Sequence, residues 1–137
     1  NGDIVALCRD SGRAPGRVMK SVSKDDGETW SLARDTELPN SGSSLALVPL
    51  RDGRWVLVYN DTESGRHRLA AALSDDEGET WAWKKYLDAG EAGEDSYSYP
   101  TAFQAKDGRV IVSYSYRVES GAAIKHAAFD PDWIQGD

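Results

Sequence analysis

Short apolar runs alternate with polar turns along the whole chain. Gly2, Gly53 and Gly108 each open such a run, over residues 3–7, 54–59 and 109–114. Asp52-Gly53 and Asp107-Gly108 stand between apolar segments, and that dipeptide predicts a hairpin because glycine takes the positive φ a tight β-turn requires. In the middle of the chain the pattern predicts strands near residues 45–49, 54–60, 68–73 and 82–87; further on it predicts 100–105, 109–116 and 122–129. Apolar residues at 3.6-residue spacing are absent, so no helix is expected.

The strands are punctuated by a repeated turn. Ser23-Lys24-Asp25-Asp26-Gly27-Glu28-Thr29-Trp30 and Ser74-Asp75-Asp76-Glu77-Gly78-Glu79-Thr80-Trp81 lie 51 positions apart, and both read Ser-x-Asp-x-Gly-x-Thr-Trp. The residue types predict a structural turn: Asp25 and Asp76 bond backbone amides two residues ahead, and Gly27 and Gly78 supply positive φ. Thr29 and Thr80 bond back, and Trp30 and Trp81 fill the apolar gap between neighbouring sheets. A helix-flanked calcium loop would need more oxygen ligands and a closing glutamate. Neither copy has them. Asp130-Pro131-Asp132-Trp133 reads as a degraded third copy.

A period of this length built from short strands predicts an all-β β-propeller of four-stranded antiparallel blades. The 137 residues hold fewer than three such blades, whereas closed propellers have roughly four to eight. The expectation is therefore a single partial propeller domain, about half of a six-bladed ring, with an incomplete blade over 1–40 and blades over 41–90 and 91–137. A missing N-terminal propeller half or a self-completing homodimer would supply the rest, since open end blades expose edges and apolar faces.

Composition narrows the partners. A net charge of −7 leaves no basic stripe for phosphates, so no nucleic acid is expected. No apolar stretch is long enough to span a membrane as a helix. Five Trp and six Tyr against two Phe suit clefts that hold sugars. Glu91, Glu94 and Asp95 read as a solvated loop, and Cys8, the single cysteine, as a small buried hydrophobe. His67 and His126 stand alone, so neither a metal site nor a cofactor is expected.

The paired turns resemble the Asp-boxes of the sialidase (neuraminidase) superfamily, also called BNR repeats, and the resemblance extends over essentially the whole chain. It implies a retaining exo-glycosidase for a terminal acidic sugar, in which arginines clamp the substrate carboxylate and a tyrosine attacks the anomeric carbon. Leu7-Cys8-Arg9-Asp10 ahead of the first turn matches one arginine position, which makes Arg9 a substrate-binding candidate. Gly65-Arg66-His67-Arg68-Leu69 matches another; Arg66 fits the offset better than its rival Arg68. Ser96-Tyr97-Ser98-Tyr99-Pro100, followed by an Asp-Gly hairpin, is similar to the nucleophile segment, with Tyr97 the match.

These residue types suit that chemistry. A planar guanidinium takes both carboxylate oxygens in parallel bonds. A neutral phenol avoids the repulsion a carboxylate nucleophile would meet beside the substrate anion, and tyrosine is an established exception to the two-carboxylate rule of glycosidases. With an ordinary pKa near 10 it needs a base beside it. The family's activating Glu, its acid-base Asp and its first Arg would fall upstream of Asn1. Where many sialidases end a strand in Tyr-Glu, this chain reads Tyr114-Ser115-Tyr116-Arg117. Two other readings stay open: a carbohydrate-binding propeller without catalysis, and a propeller glycosidase or lyase for another sugar. Arg9 beside Asp10 also suits a rim ion pair, Tyr97 and Tyr99 suit core packing, and Lys125 and His126 suit solvent.

Overall fold

The computed structural model describes residues 2–12 and 14–136. Ten antiparallel strands form three sheets. β1 (Ile4–Cys8), β2 (Arg17–Ser23) and β3 (Arg34–Pro39) make the first; β4 (Ala46–Pro49), β5 (Trp55–Asn60), β6 (Arg68–Ser74) and β7 (Trp83–Ala89) make the second. The third holds β8 (Ser96–Gln104), β9 (Val110–Val118) and β10 (Gly121–Phe129). The sheets do not close into a ring.

The second sheet is covered on both faces. Val56, Val58, Leu69, Ala71 and Leu73 turn toward Tyr97, Val110, Val112 and Tyr114 of the third sheet. Leu57, Tyr59, Ala70 and Ala72 turn the other way, toward Val18 and Leu38 of the first. Alternate residues of one strand thus enter two separate cores, which is why β5 and β6 read as continuous apolar runs.

The repeated turn forms twice in the same way. Asp76 accepts from the Thr80 amide at 2.9 Å and from its hydroxyl at 2.6 Å, while Ser74 Oγ accepts from the Gly78 amide at 2.8 Å. Asp25, Thr29, Ser23 and Gly27 repeat this at 2.9, 2.5 and 2.8 Å. The aspartate therefore caps the amide four residues on, not two, and the serine holds the glycine. Bonds from Thr80, with smaller help from Ser74, bring the Asp76 carboxyl down to about 2; Asp25 is lowered for the same reason. Gly78 has a φ of 75°, and an added Cβ would meet Trp55 at 3.1 Å, so the position is closed to side chains on two grounds.

Several expectations are corrected. Trp81 is buried at 7% exposure, but Trp30 stands 46% exposed and plugs no gap. The described residues place the first sheet's outer face against nothing, so Trp30 has no neighbour to fill. Cys8 is exposed, lying at the end of β1 on that open sheet. The outer sheets have three strands each, as the incomplete first blade and the three strands expected after residue 99 imply. After β10 the chain enters a 3-10 turn over Pro131–Ile134, with Asp130 accepting from the Asp132 amide, because Pro131 lacks the N–H a fourth strand would need. Lys125 does not face solvent alone: it pairs with Asp88 at 2.7 Å. Strand β8 starts at Ser96, ahead of the expected position.

The two tryptophans give a direct test. Trp81→Ala should destabilise the protein by about 3–5 kcal/mol, the cost of emptying a large buried site, and Trp30→Ala by about 1 kcal/mol or less. Urea unfolding of both variants measures the difference; equal losses would mean Trp30 is covered.

Candidate functional site

The β5–β6, β7–β8 and β9–β10 loops lie at one end of the sheets, opposite the repeated turns of the β2–β3 and β6–β7 connections. Arg17 on β2 reaches Glu63 of the β5–β6 loop at 2.6 Å. The Gly90 amide bonds the His67 carbonyl at 2.8 Å, and the Tyr97 amide bonds the Arg66 carbonyl at 2.8 Å. Asn60, fully buried at the end of β5, fastens this junction. Its Nδ2 lies 2.9 Å from the Tyr97 carbonyl, 3.3 Å from that of Arg66 and 3.2 Å from that of Arg68. No sequence motif singled it out; the one signal was a polar residue closing an apolar run.

A cleft of about 540 Å³ opens above this junction, lined by Arg66, Ser98, Tyr99, Tyr116, Arg117 and Ile124 among others. Strand β8 delivers its floor through a bulge. Its register against β9 shifts between Ser98 and Thr101, and Tyr99 takes a φ of 53°, a left-handed conformation uncommon for a bulky residue. Pro100 sits within the irregularity, where a missing N–H costs no ladder bond. The bulge turns Tyr99 outward at 56% exposure, with the Arg66 guanidinium 5.2 Å from its ring centre.

Tyr97 points the other way. It is 4% exposed, stacks on Tyr116 with ring centres 5.3 Å apart and meets Tyr114 edge-on at 6.4 Å. Lys125 lies 4.8 Å from the Tyr116 ring centre and 5.9 Å from that of Tyr97. Asp88 collects both flanks, accepting from the Tyr114 hydroxyl at 2.6 Å and from Lys125 at 2.8 Å. Burial first, then the negative charges of Asp88 and Asp95, push the Tyr97 phenol up to about 12. Burial and the Asp88 bond raise Tyr114 as well, and burial with Asp61 raises Tyr59.

The sequence candidates thus divide. Arg66, Ser96, Ser98 and Tyr99 meet at one cleft, which Tyr97, buried behind Tyr116, does not itself line. Arg68 turns aside, with its guanidinium 6.0 Å from the Tyr86 ring centre. Arg9, just beyond β1, is exposed and lines none of this cleft. It forms no ion pair with Asp10, whose carboxylate accepts from the Gly12 amide at 2.6 Å. Tyr99, Tyr116 and Arg117 line the cleft without having been singled out as site residues; the Tyr99 display depends on a bulge that periodicity does not reveal. Among the described residues no group of three His, Cys, Asp or Glu is placed to hold a metal ion, and no helix is long and apolar enough to cross a membrane.

Comparison with known proteins places this geometry. The model of the BNR repeat-like domain family matches residues 1–112. The chain belongs to that family. No curated protein matches its sequence significantly. Among solved structures, a leech intramolecular trans-sialidase complexed with 2,7-anhydro-Neu5Ac superposes with a TM-score of 0.80 at 17% identity, covering 98% of this chain and 22% of that one. The intramolecular trans-sialidase of Ruminococcus gnavus, in complex with oseltamivir carboxylate, gives 0.79 at 19%, covering 100% and 32%. An ulvan lyase, a polysaccharide lyase, gives 0.65 at 19%, covering 97% and 37%. This BNR-family chain shares their fold, and it spans from about a fifth to somewhat over a third of the length of these three structures.

The buried phenols make stability fall in alkali. A tyrosine whose folded pKa is raised contributes stability that is complete below about pH 10 and is lost as pH rises through the folded value. For Tyr97 the window runs from about 10 to about 12. Urea unfolding at stepped pH should show stability dropping across that window, with a shallower drop in Tyr97→Phe; parallel curves would contradict the burial of this phenol.

Proposed function

We propose that the chain is the catalytic-face half of a sialidase-type exo-glycosidase that hydrolyses a terminal acidic sugar with retention. In this reading its three sheets are half of a six-bladed propeller, completed by a further part of the protein or by a second copy. Arg66 holds the substrate carboxylate at the cleft, and Arg9 of the adjacent blade, which lies outside that cleft, is assigned to the same carboxylate. The Tyr97 oxygen attacks the anomeric carbon and the glycosidic C–O bond breaks. The leaving oxygen takes a proton from an acid outside this chain, and water then releases the sugar from the tyrosyl intermediate.

The observation that carries the reading is the junction itself: Arg66 and the start of β8 are joined backbone to backbone at a cleft that no carboxylate lines among the described residues, with Tyr97 packed directly behind the cleft residue Tyr116. A phenol held near 12 requires a base beside it. Asp88 is engaged by Lys125 and Tyr114, and Asp95 accepts from the Glu91 amide, so the base comes from outside the chain. The same raised phenol favours a second reading, a sugar-binding propeller without catalysis. The likeness to a polysaccharide lyase keeps a glycosidase or lyase for another sugar in view.

Turnover of an aryl sialoside by the protein and its variants separates the readings. Tyr97→Phe should reduce kcat by at least about a thousandfold, as loss of a covalent nucleophile does, while Tyr99→Phe keeps most of it. Sugar binding without turnover in the parent protein would select the binding module, and unchanged turnover in Tyr97→Phe would remove Tyr97 from the chemistry.

A further inference from the structure

The cleft carries more positive charge than one carboxylate needs. Arg117 lines it together with Arg66, and neither guanidinium forms an ion pair among the described residues. In a chain with 23 acidic and 16 basic residues, two unneutralised cations around a carboxylate-free cleft make a local field that selects anions.

The two stand on opposite sides of β8. Arg66 is bonded through its carbonyl to the Tyr97 amide on one edge, whereas Arg117 is the β9 partner of Ser96 on the other. With neighbouring strands about 4.8 Å apart, their backbones lie roughly 10 Å from each other. Tyr99 is displayed from the strand between them, with an exposed ring that offers an apolar surface to one face of a pyranose.

Building on the glycosidase reading, we infer that Arg117 and Tyr99 form a second subsite, beside the Arg66 position, for the next sugar of a glycan that is acidic at consecutive residues. Arg117 takes the second carboxylate and Tyr99 stacks on the ring that carries it. Ser98 and Ser115, both in the cleft wall, are placed to bond hydroxyls. The preferred substrate class is therefore a polyanionic glycan, not one with a single charged terminus on a neutral chain.

Calorimetric binding of disialic acid and of sialyllactose compares a charged with a neutral second sugar behind the same terminal residue. The protein should favour the diacid, and Arg117→Gln should reduce that preference about tenfold, the scale of one charge-assisted hydrogen bond. Arg66→Gln should weaken both ligands, and Tyr99→Ala should weaken the diacid several-fold; near-UV circular dichroism checks that each variant is folded. Equal affinity of the parent protein for the two ligands overturns the second subsite alone. So does an equal loss for both in Arg117→Gln, which would mean that the two arginines grip one carboxylate. Failure of the folded protein to bind either ligand overturns the sialidase-type reading with it.

Discussion

Burial of the β5–β6 hairpin on both faces is the constraint from which the rest of the molecule follows. A strand covered on one side can pair alternating apolar and polar residues; one covered on both sides cannot. Val56, Leu57, Val58 and Tyr59 are each fully buried, although successive side chains enter different cores. This holds three sheets in a fixed order and leaves their loop ends side by side. The alanines of β6 matter as much as the large residues, since Ala70, Ala71 and Ala72 let the neighbouring sheets approach closely without voids.

That packing explains why so few bonds are needed to assemble the cleft. Once the sheets are stacked, the end of β5 faces the start of β8, and a single buried side-chain amide, that of Asn60, reaches three carbonyls from two segments. The Arg66 loop is thereby fixed relative to the tyrosine strand. A site held this way owes its geometry to the cores beneath it, so core changes far from the cleft displace it as surely as changes in its lining.

The opposite orientations of Tyr97 and Tyr99 show a division of labour set by the bulge in β8. Residues two apart on a regular strand share a face. The left-handed Tyr99 breaks that rule, so one phenol enters an aromatic stack with Tyr116 and the other meets the cleft. The Asp88–Lys125 pair closes the stack from the side and keeps a partly buried carboxylate neutralised beside phenols whose ionisation it opposes.

Eight of the ten strands, the two repeated turns and the Asp-Gly hairpins were legible in the residues because each depends on local chemistry: alternation, positive φ, and side chains bonding their own backbone; β2 and β3 were not expected. Arg66 and the Tyr97 segment became candidates through the resemblance of their surroundings to the sialidase superfamily. Nothing local announced that Asn60 would join them, that Pro100 and Tyr99 would form a bulge within β8, or that Arg117 would line the same cleft as Arg66. Nor could the two identical motifs reveal that Trp81 is covered and Trp30 is not. The sequence by itself determined the strands and turns, whose energies are settled within a few residues. Tertiary structure alone decided which side chains share a cleft or a core, because burial and encounter depend on sheets contributed by distant parts of the chain.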